Sequence, residues 1–136
     1  MKTFYQTLKI CGILLGLVVG ADAMAQLNIK ESQALIARVI PQRAEFFVVE
    51  SLSTAAPFDF FEIESKNNKI VLRGNNGVSV ASALYYYLTE YCHCQITWNG
   101  ENLDLPTKLP LLSAKITKSS PYQYRYYLNY CTFNYS

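Results

Sequence analysis

Four groups of side chains in this sequence have the types and spacing that chemistry could use. The first is the acidic set after residue 25: Glu31, Glu45, Glu50, Asp59, Glu62, Glu64, Glu90, Glu101 and Asp104. Two carboxylates facing each other can share acid and base or nucleophile work on a glycosidic bond, provided one has its pKa raised by an apolar setting. Most of these residues fall on expected solvent faces or turns, and none has apolar neighbours that would raise it, so they read as solvated charges. The second group is Cys92-His93-Cys94. Structural zinc needs four ligands, usually with two to four residues between cysteines and a second ligand pair elsewhere. Here the gap is one residue and His93 is the sole histidine. The expectation is no metal, with the thiols packed as small hydrophobes at a helix end. The third group, Gly74-Asn-Asn-Gly77, has neither the glycine spacing nor the lysine of a phosphate cradle. No serine sits in a nucleophile elbow, and His93 is the one base available to any serine or cysteine scheme.

The fourth group is the C-terminal stretch, where Tyr122, Tyr124, Tyr126, Tyr127, Tyr130 and Tyr135 crowd around Arg125, Asn129, Cys131 and Thr132. Tyrosine joins an apolar ring to a hydroxyl, and asparagine both donates and accepts, a combination suited to sugar hydroxyls. The same composition also describes a buried strand with its tyrosine tips at the rim.

The elements that must position these groups can be traced along the chain. Residues 1–25 read as a secretory signal: basic Lys2 and Lys9, the apolar run Ile10 to Gly20, and the small-x-small site Ala23-Met-Ala25. The run is too short to span a bilayer. The expectation is therefore an exported protein, periplasmic or secreted, with a mature chain beginning at Gln26 and no membrane attachment after cleavage. That chain keeps ten basic and nine acidic residues, a balance with no footprint for nucleic acid or an anionic membrane. Three cysteines remain, so at least one thiol stays free or pairs elsewhere. Cys92 and Cys94 are too close for an unstrained disulfide.

Asn28-Ile-Lys-Glu31 has capping-box spacing, and Leu35, Ile36, Val39 and Ile40 form a stripe that Pro41 ends, which predicts a helix over 29–40. Glu45 to Glu50 predicts a strand covered on both faces. Phe58 to Ser65 alternates, with Phe61 and Ile63 opposite Glu62 and Glu64. Asn67-Asn68 turns it back into Lys69 to Arg73, a hairpin. Asn75 or Asn76 caps a helix over 78–91, with Val80, Ala81, Leu84, Leu88 and Tyr91 inward and Ser79, Ser82, Tyr86 and Thr89 outward. Gln95 to Trp98 predicts a short strand, and Gly100 to Ser120 an extended connector. The fold class is α+β, a small sheet with helices packed on one face.

At the C-terminal stretch the sequence resembles a known family. Tyr124-Arg-Tyr-Tyr-Leu-Asn-Tyr-Cys-Thr132 followed by Tyr135 is similar to the start of the catalytic region in the α-N-acetylglucosaminidases of glycoside hydrolase family 89. The helix from Gly77 to Leu88, the run Tyr91 to Cys94, Trp98 and the Leu-Pro-rich connector extend the resemblance over roughly residues 29–136. It implies a small N-terminal α/β domain, then a (β/α) barrel with two catalytic glutamates, then a helical domain. The implied activity removes terminal α-linked N-acetylglucosamine from glycans with retention, without metal or other cofactor.

On that resemblance the chain divides into a signal peptide (1–25), an N-terminal α+β accessory domain (26–118) and the first strand of a truncated barrel (119–136). The catalytic glutamates fall outside it, so no catalytic residue is assigned and the chain alone is expected to be inactive. Asn129, Cys131 and Tyr135 match positions lining the sugar pocket. The expected partners are a glycan, met through the full-length enzyme, and the rest of the barrel. The competing reading, from another class, is a free-standing carbohydrate-binding or scaffold module.

Overall fold

A computed structural model describes residues 27–52 and 58–122 of the chain. Asn28 starts the first helix, α1 (Ile29–Val39), by accepting a hydrogen bond from the Glu31 amide at 3.2 Å. Ile40 lies just outside the helix, whereas the sequence placed it within; its extended φ of −135° already prepares Pro41. A 3₁₀ turn (Ala44–Phe46) leads into β1 (Phe47–Ser51). Gln33 reaches from α1 to the Phe47 carbonyl at 3.0 Å and so fixes helix to strand.

The expected hairpin forms as β2 (Phe60–Lys66) and β3 (Lys69–Gly74), paired antiparallel with Lys66 opposite Lys69. Asn67 and Asn68 have φ of 50° and 60°. A tight two-residue hairpin turn requires that left-handed backbone, and asparagine tolerates it. β1 runs parallel to β3, and β6 (Ile116–Ser119) closes the other edge on β2, giving the order β1-β3-β2-β6.

The second helix, α2 (Gly77–Cys92), is capped by Asn76, whose side chain accepts from the Ser79 amide at 2.9 Å. Asn75 instead ties the hairpin to the helix: it accepts from the Phe60 amide and the Ser79 hydroxyl and donates to the Phe58 carbonyl. Gly74 is required by close approach. A Cβ there would lie 2.8 Å from the Ser79 Cβ and 2.9 Å from the Val80 nitrogen, both in the first turn of α2. A second small sheet pairs β4 (Gln95–Thr97) with β5 (Gly100–Asn102).

Both helices pack on the four-stranded sheet, and one core joins Ile36 and Ile40 to Phe47, Val49, Ile63, Ile70 and Leu72 and to Val80, Ala83, Leu84, Tyr87 and Leu88. The α+β class with helices on one face is as the sequence indicates. The barrel strand expected at 119–136 falls, from residue 123 onward, outside the described residues.

Four expectations need correction. The strand expected at 45–50 begins two residues later, and only Phe47 and Val49 are buried; Val48 and Glu50 are half-exposed because β1 is an edge strand with helices on one side. The buried stripe of α2 includes Ser79, Ala83, Tyr87 and Cys92, whereas Ala81 and Tyr91 are only partly covered, so the helix is rotated from the expected face. Trp98 is outside β4 and is 98% exposed at the hairpin tip. The connector expected over 100–120 contains two strands, β5 and β6, and β6 extends the main sheet.

Candidate functional site

The structure disposes of the local cysteine–histidine cluster as a helix stop. His93 takes a left-handed φ of 56° after α2, and the Cys94 amide reaches back to the Leu88 carbonyl at 2.9 Å, closing a Schellman-type end. Cys92 and Cys94 are buried and free, while His93 is exposed. Burial pushes the Cys92 thiol up to about 11 and raises Cys94 as well, so both are poor nucleophiles at neutral pH. Among the described residues no group of three His, Cys, Asp or Glu side chains is placed to hold a metal ion.

The carboxylates do gather, but around a cation. Strand alternation puts Glu50 of β1, Arg73 of β3 and Glu62 and Glu64 of β2 on the sheet face away from the helices. Arg73 donates through Nε to Glu50 at 2.6 Å and through Nη2 to Glu64, and its Nη1 stands 3.8 Å from Glu62. Lys115 adds a contact to Glu62 at 3.0 Å. The hydrogen bond from Arg73 holds the Glu64 carboxyl below its ordinary value, against a smaller opposing effect of desolvation. A general acid for glycoside cleavage needs the opposite shift. The cluster is a structural ion network. No single stretch of sequence announces it, because its members come from three strands.

The network carries a pH-dependent prediction. Glu64 has a folded pKa below the unfolded one, so its contribution is complete above about 4.5, the ordinary value, and disappears as pH falls through the folded pKa. Arg73→Met should destabilise the chain at pH 7, modestly because Glu50 and Glu64 both still meet solvent. Urea unfolding at pH 7 and pH 3 checks this: the gap between the parent and the variant should narrow in acid. An equal gap at both values contradicts the assignment.

The described surface also holds an apolar groove of about 480 Å³, lined by Phe61 and by Val78, Ala81, Ser82, Tyr85, Tyr86, Thr89 and Glu90 of α2. Val78 and Tyr85 are 54% and 47% exposed. Tyr86 packs against Phe61 with ring centres 5.9 Å apart, and the Lys118 ammonium lies 5.5 Å from the Tyr86 ring centre. An adjoining cavity of about 380 Å³ is bordered by Asp59, Ser79, Lys118, Ser119 and Ser120 and shares Phe61 and Ser82 with the first. Sequence reasoning missed this groove because it took Ser82, Tyr86 and Thr89 for a wet face. The three consecutive tyrosines Tyr85, Tyr86 and Tyr87 were the available signal: a helix cannot bury all three on one side. The residues assigned to sugar binding, Asn129, Cys131 and Tyr135, lie outside the described residues.

With this geometry in place, comparison with known proteins adds the following. A family model described as the α-N-acetylglucosaminidase (NAGLU) N-terminal domain matches residues 30–111. The human α-N-acetylglucosaminidase is 35% identical over 133 residues, covering 92% of this chain and 18% of that enzyme. A family 89 glycoside hydrolase from Clostridium perfringens, solved with 2-acetamido-1,2-dideoxynojirmycin, superposes with a TM-score of 0.71 at 34% identity over 79% of this chain and 13% of that chain. A variant of a C. perfringens family 89 enzyme, solved with its substrate GlcNAc-α-1,4-galactose, superposes with a TM-score of 0.67 at 32% identity over 71% of this chain and 11% of that one. The chain thus spans less than a fifth of the length of these relatives.

Proposed function

Since the chain belongs to the α-N-acetylglucosaminidase N-terminal-domain family, we propose that it is the N-terminal portion of an exported enzyme that removes terminal α-linked N-acetylglucosamine from glycans. The observation that carries this reading is the family match over residues 30–111, which takes in nearly all of both helices and three of the four strands of the main sheet, β1, β2 and β3. The reaction on this reading uses two carboxylates and no metal or other cofactor. The glutamates that the described residues do gather are bound to Arg73, and Glu64 is shifted away from acid function. Catalysis therefore belongs to the larger part that relatives carry beyond this domain. The chain by itself is inactive, and Asn129, Cys131 and Tyr135 line the sugar pocket once the barrel is complete.

Export follows from the basic, apolar and small-x-small pattern of residues 1–25. Intact mass of the exported product should show a chain beginning at Gln26. The function is tested by joining the complete chain in frame to the remainder of the C. perfringens hydrolase, in place of its matched segment. The joined enzyme should hydrolyse an aryl α-N-acetylglucosaminide and GlcNAc-α-1,4-galactose. A soluble, folded product without turnover contradicts the reading.

A further inference from the structure

Asparagine precedes glycine at two places in the sequence, Asn76 and Asn99, and the fold treats the two oppositely. Asn76 is half-buried as the cap of α2. Its Oδ1 accepts from the Ser79 amide at 2.9 Å and its Nδ2 donates to Asp59 at 2.6 Å, so both ends of the side-chain amide are held. Asn99 stands at the tip of the β4–β5 hairpin, exposed like its neighbours Trp98 and Gly100. Its side chain makes no hydrogen bond among the described residues. The hairpin itself is slight. Its ladder runs only from Thr97 opposite Gly100 to Gln95 opposite Asn102, Ile96 alone is partly covered, and the pair forms a sheet separate from the main one. A two-stranded hairpin with so little packing is marginally stable and opens readily.

We infer that Asn99 is a site of covalent self-modification, converting to aspartate and isoaspartate through a cyclic imide, with hydroxide and water as co-reactants, while the cap protects Asn76. Hydroxide first takes the proton of the Gly100 amide, and that nitrogen attacks the Asn99 Cγ. The new N–Cγ bond replaces the Cγ–Nδ2 bond. Ammonia leaves with a proton from water, which restores the hydroxide. Water then opens the imide. Attack at the side-chain carbonyl gives aspartate; attack at the main-chain carbonyl gives isoaspartate, whose backbone runs through Cγ. Gly100 has no Cβ to crowd the attacking nitrogen. The main chain of Asn99 must rotate until Cγ faces that nitrogen, and the slight ladder permits this. At Asn76 the same rotation would break both side-chain hydrogen bonds and the cap of α2. The product sets a carboxylate, ionised at neutral pH, beside Trp98, the side chain that is 98% exposed. Isoaspartate also lengthens the backbone of a two-residue turn whose length fixes the register of β4 on β5.

The test ages the purified 136-residue chain in mildly alkaline buffer. Digestion in acid and mass spectrometry then follow the peptides that contain Asn99 and Asn76. The Asn99 peptide should take on the mass of the acid in place of the amide and split into two species of equal mass, isoaspartate the larger. Its rate should exceed that of Asn76 by on the order of tenfold or more, the protection that a formed cap gives over an opening hairpin. A Cβ on Gly100 would meet nothing within 4 Å, and Gly100→Ala should slow the conversion on the order of tenfold. In denaturant, with the cap gone, the Asn76 peptide should convert about as fast as the Asn99 peptide. An unchanged Asn99 in the folded chain overturns the inference, as do equal rates at the two sites before unfolding. Conversion to aspartate alone, untouched by Gly100→Ala, is direct hydrolysis and overturns the imide route. If the alanine disturbs the hairpin, the isoaspartate fraction of the parent chain decides. An Asn76 that stays slow in denaturant overturns the protection assigned to its cap.

Discussion

Replacing Tyr87 with alanine is expected to destabilise the domain by about 3–5 kcal/mol, the range for deleting a large aromatic side chain from a core. Tyr87 is fully buried and serves three parts of the fold. Its ring meets Phe47 of β1 edge-on, with centres 5.5 Å apart and planes at 81°, and stacks on Tyr91 at 5.6 Å. Its hydroxyl donates to the Pro110 carbonyl at 2.7 Å, which pins the connector between β5 and β6 against α2. Burial raises its pKa, so the hydroxyl stays protonated and remains a donor at any working pH. A domain of this size is stable by only about 5–15 kcal/mol, so the alanine variant should be largely unfolded in mild urea. Tyr87→Phe keeps the ring and leaves the Pro110 carbonyl without its partner, at a cost of about 1–2 kcal/mol. Urea titration of both variants beside the parent chain checks the pair. A Tyr87→Ala loss under about 1 kcal/mol would mean that the site collapses around the cavity and that Tyr87 does not organise the core.

The second large effect concerns Asn129 in the joined enzyme. Residues 129, 131 and 135 share parity, and on our proposal they would share one face of a barrel strand if it ran that far, near the C-terminal strand ends where barrel active sites lie. On our proposal the Asn129 amide pairs with sugar hydroxyls, and Asn129→Ala leaves them unpaired. The expected loss is roughly 1–3 kcal/mol of transition-state binding, about 5- to 150-fold in kcat/KM. Cys131→Ala and Tyr135→Phe should cost less, because they remove one weak or one rim contact. The measurement is kcat/KM per folded molecule beside Tm for each variant. A lowered Tm with unchanged kinetics assigns Asn129 to packing in the barrel and removes it from the site.

Much of the scaffold was legible because its signals are local. Asn28 and Asn76 cap helices as side-chain acceptors, and Asn67-Asn68 is a turn whose backbone demands such residues. The rest was hidden where local signals run out. β5 is Gly-Glu-Asn, and nothing in those three residues favours a strand until Gln95–Thr97 lies alongside. β6 is mostly exposed and acquires its role through the register that pairs Ile116 with Ile63. The rotation of α2 turns on which of Tyr85, Tyr86 and Tyr87 points inward. Periodicity among three identical residues cannot choose; the choice comes from Phe47 and Pro110, distant in sequence. The fate of the glutamates was hidden for the same reason. Each looks like a solvated charge until three strands bring them to Arg73. The cysteine–histidine cluster was legible in one respect, the packed thiols. The left-handed turn at His93 was not, since glycine and asparagine are the usual residues there.

Our proposal that this chain is an accessory domain, inactive by itself, is checked in one assay. The purified 136-residue chain is incubated with an aryl α-N-acetylglucosaminide, and release of the aryl group is followed. We expect no release above that of substrate alone, because hydrolysis requires two carboxylates about 5–10 Å apart with one protonated, and the described carboxylates that gather are held by Arg73. Turnover that a single Glu or Asp substitution abolishes would contradict the account and place a complete active site within this chain.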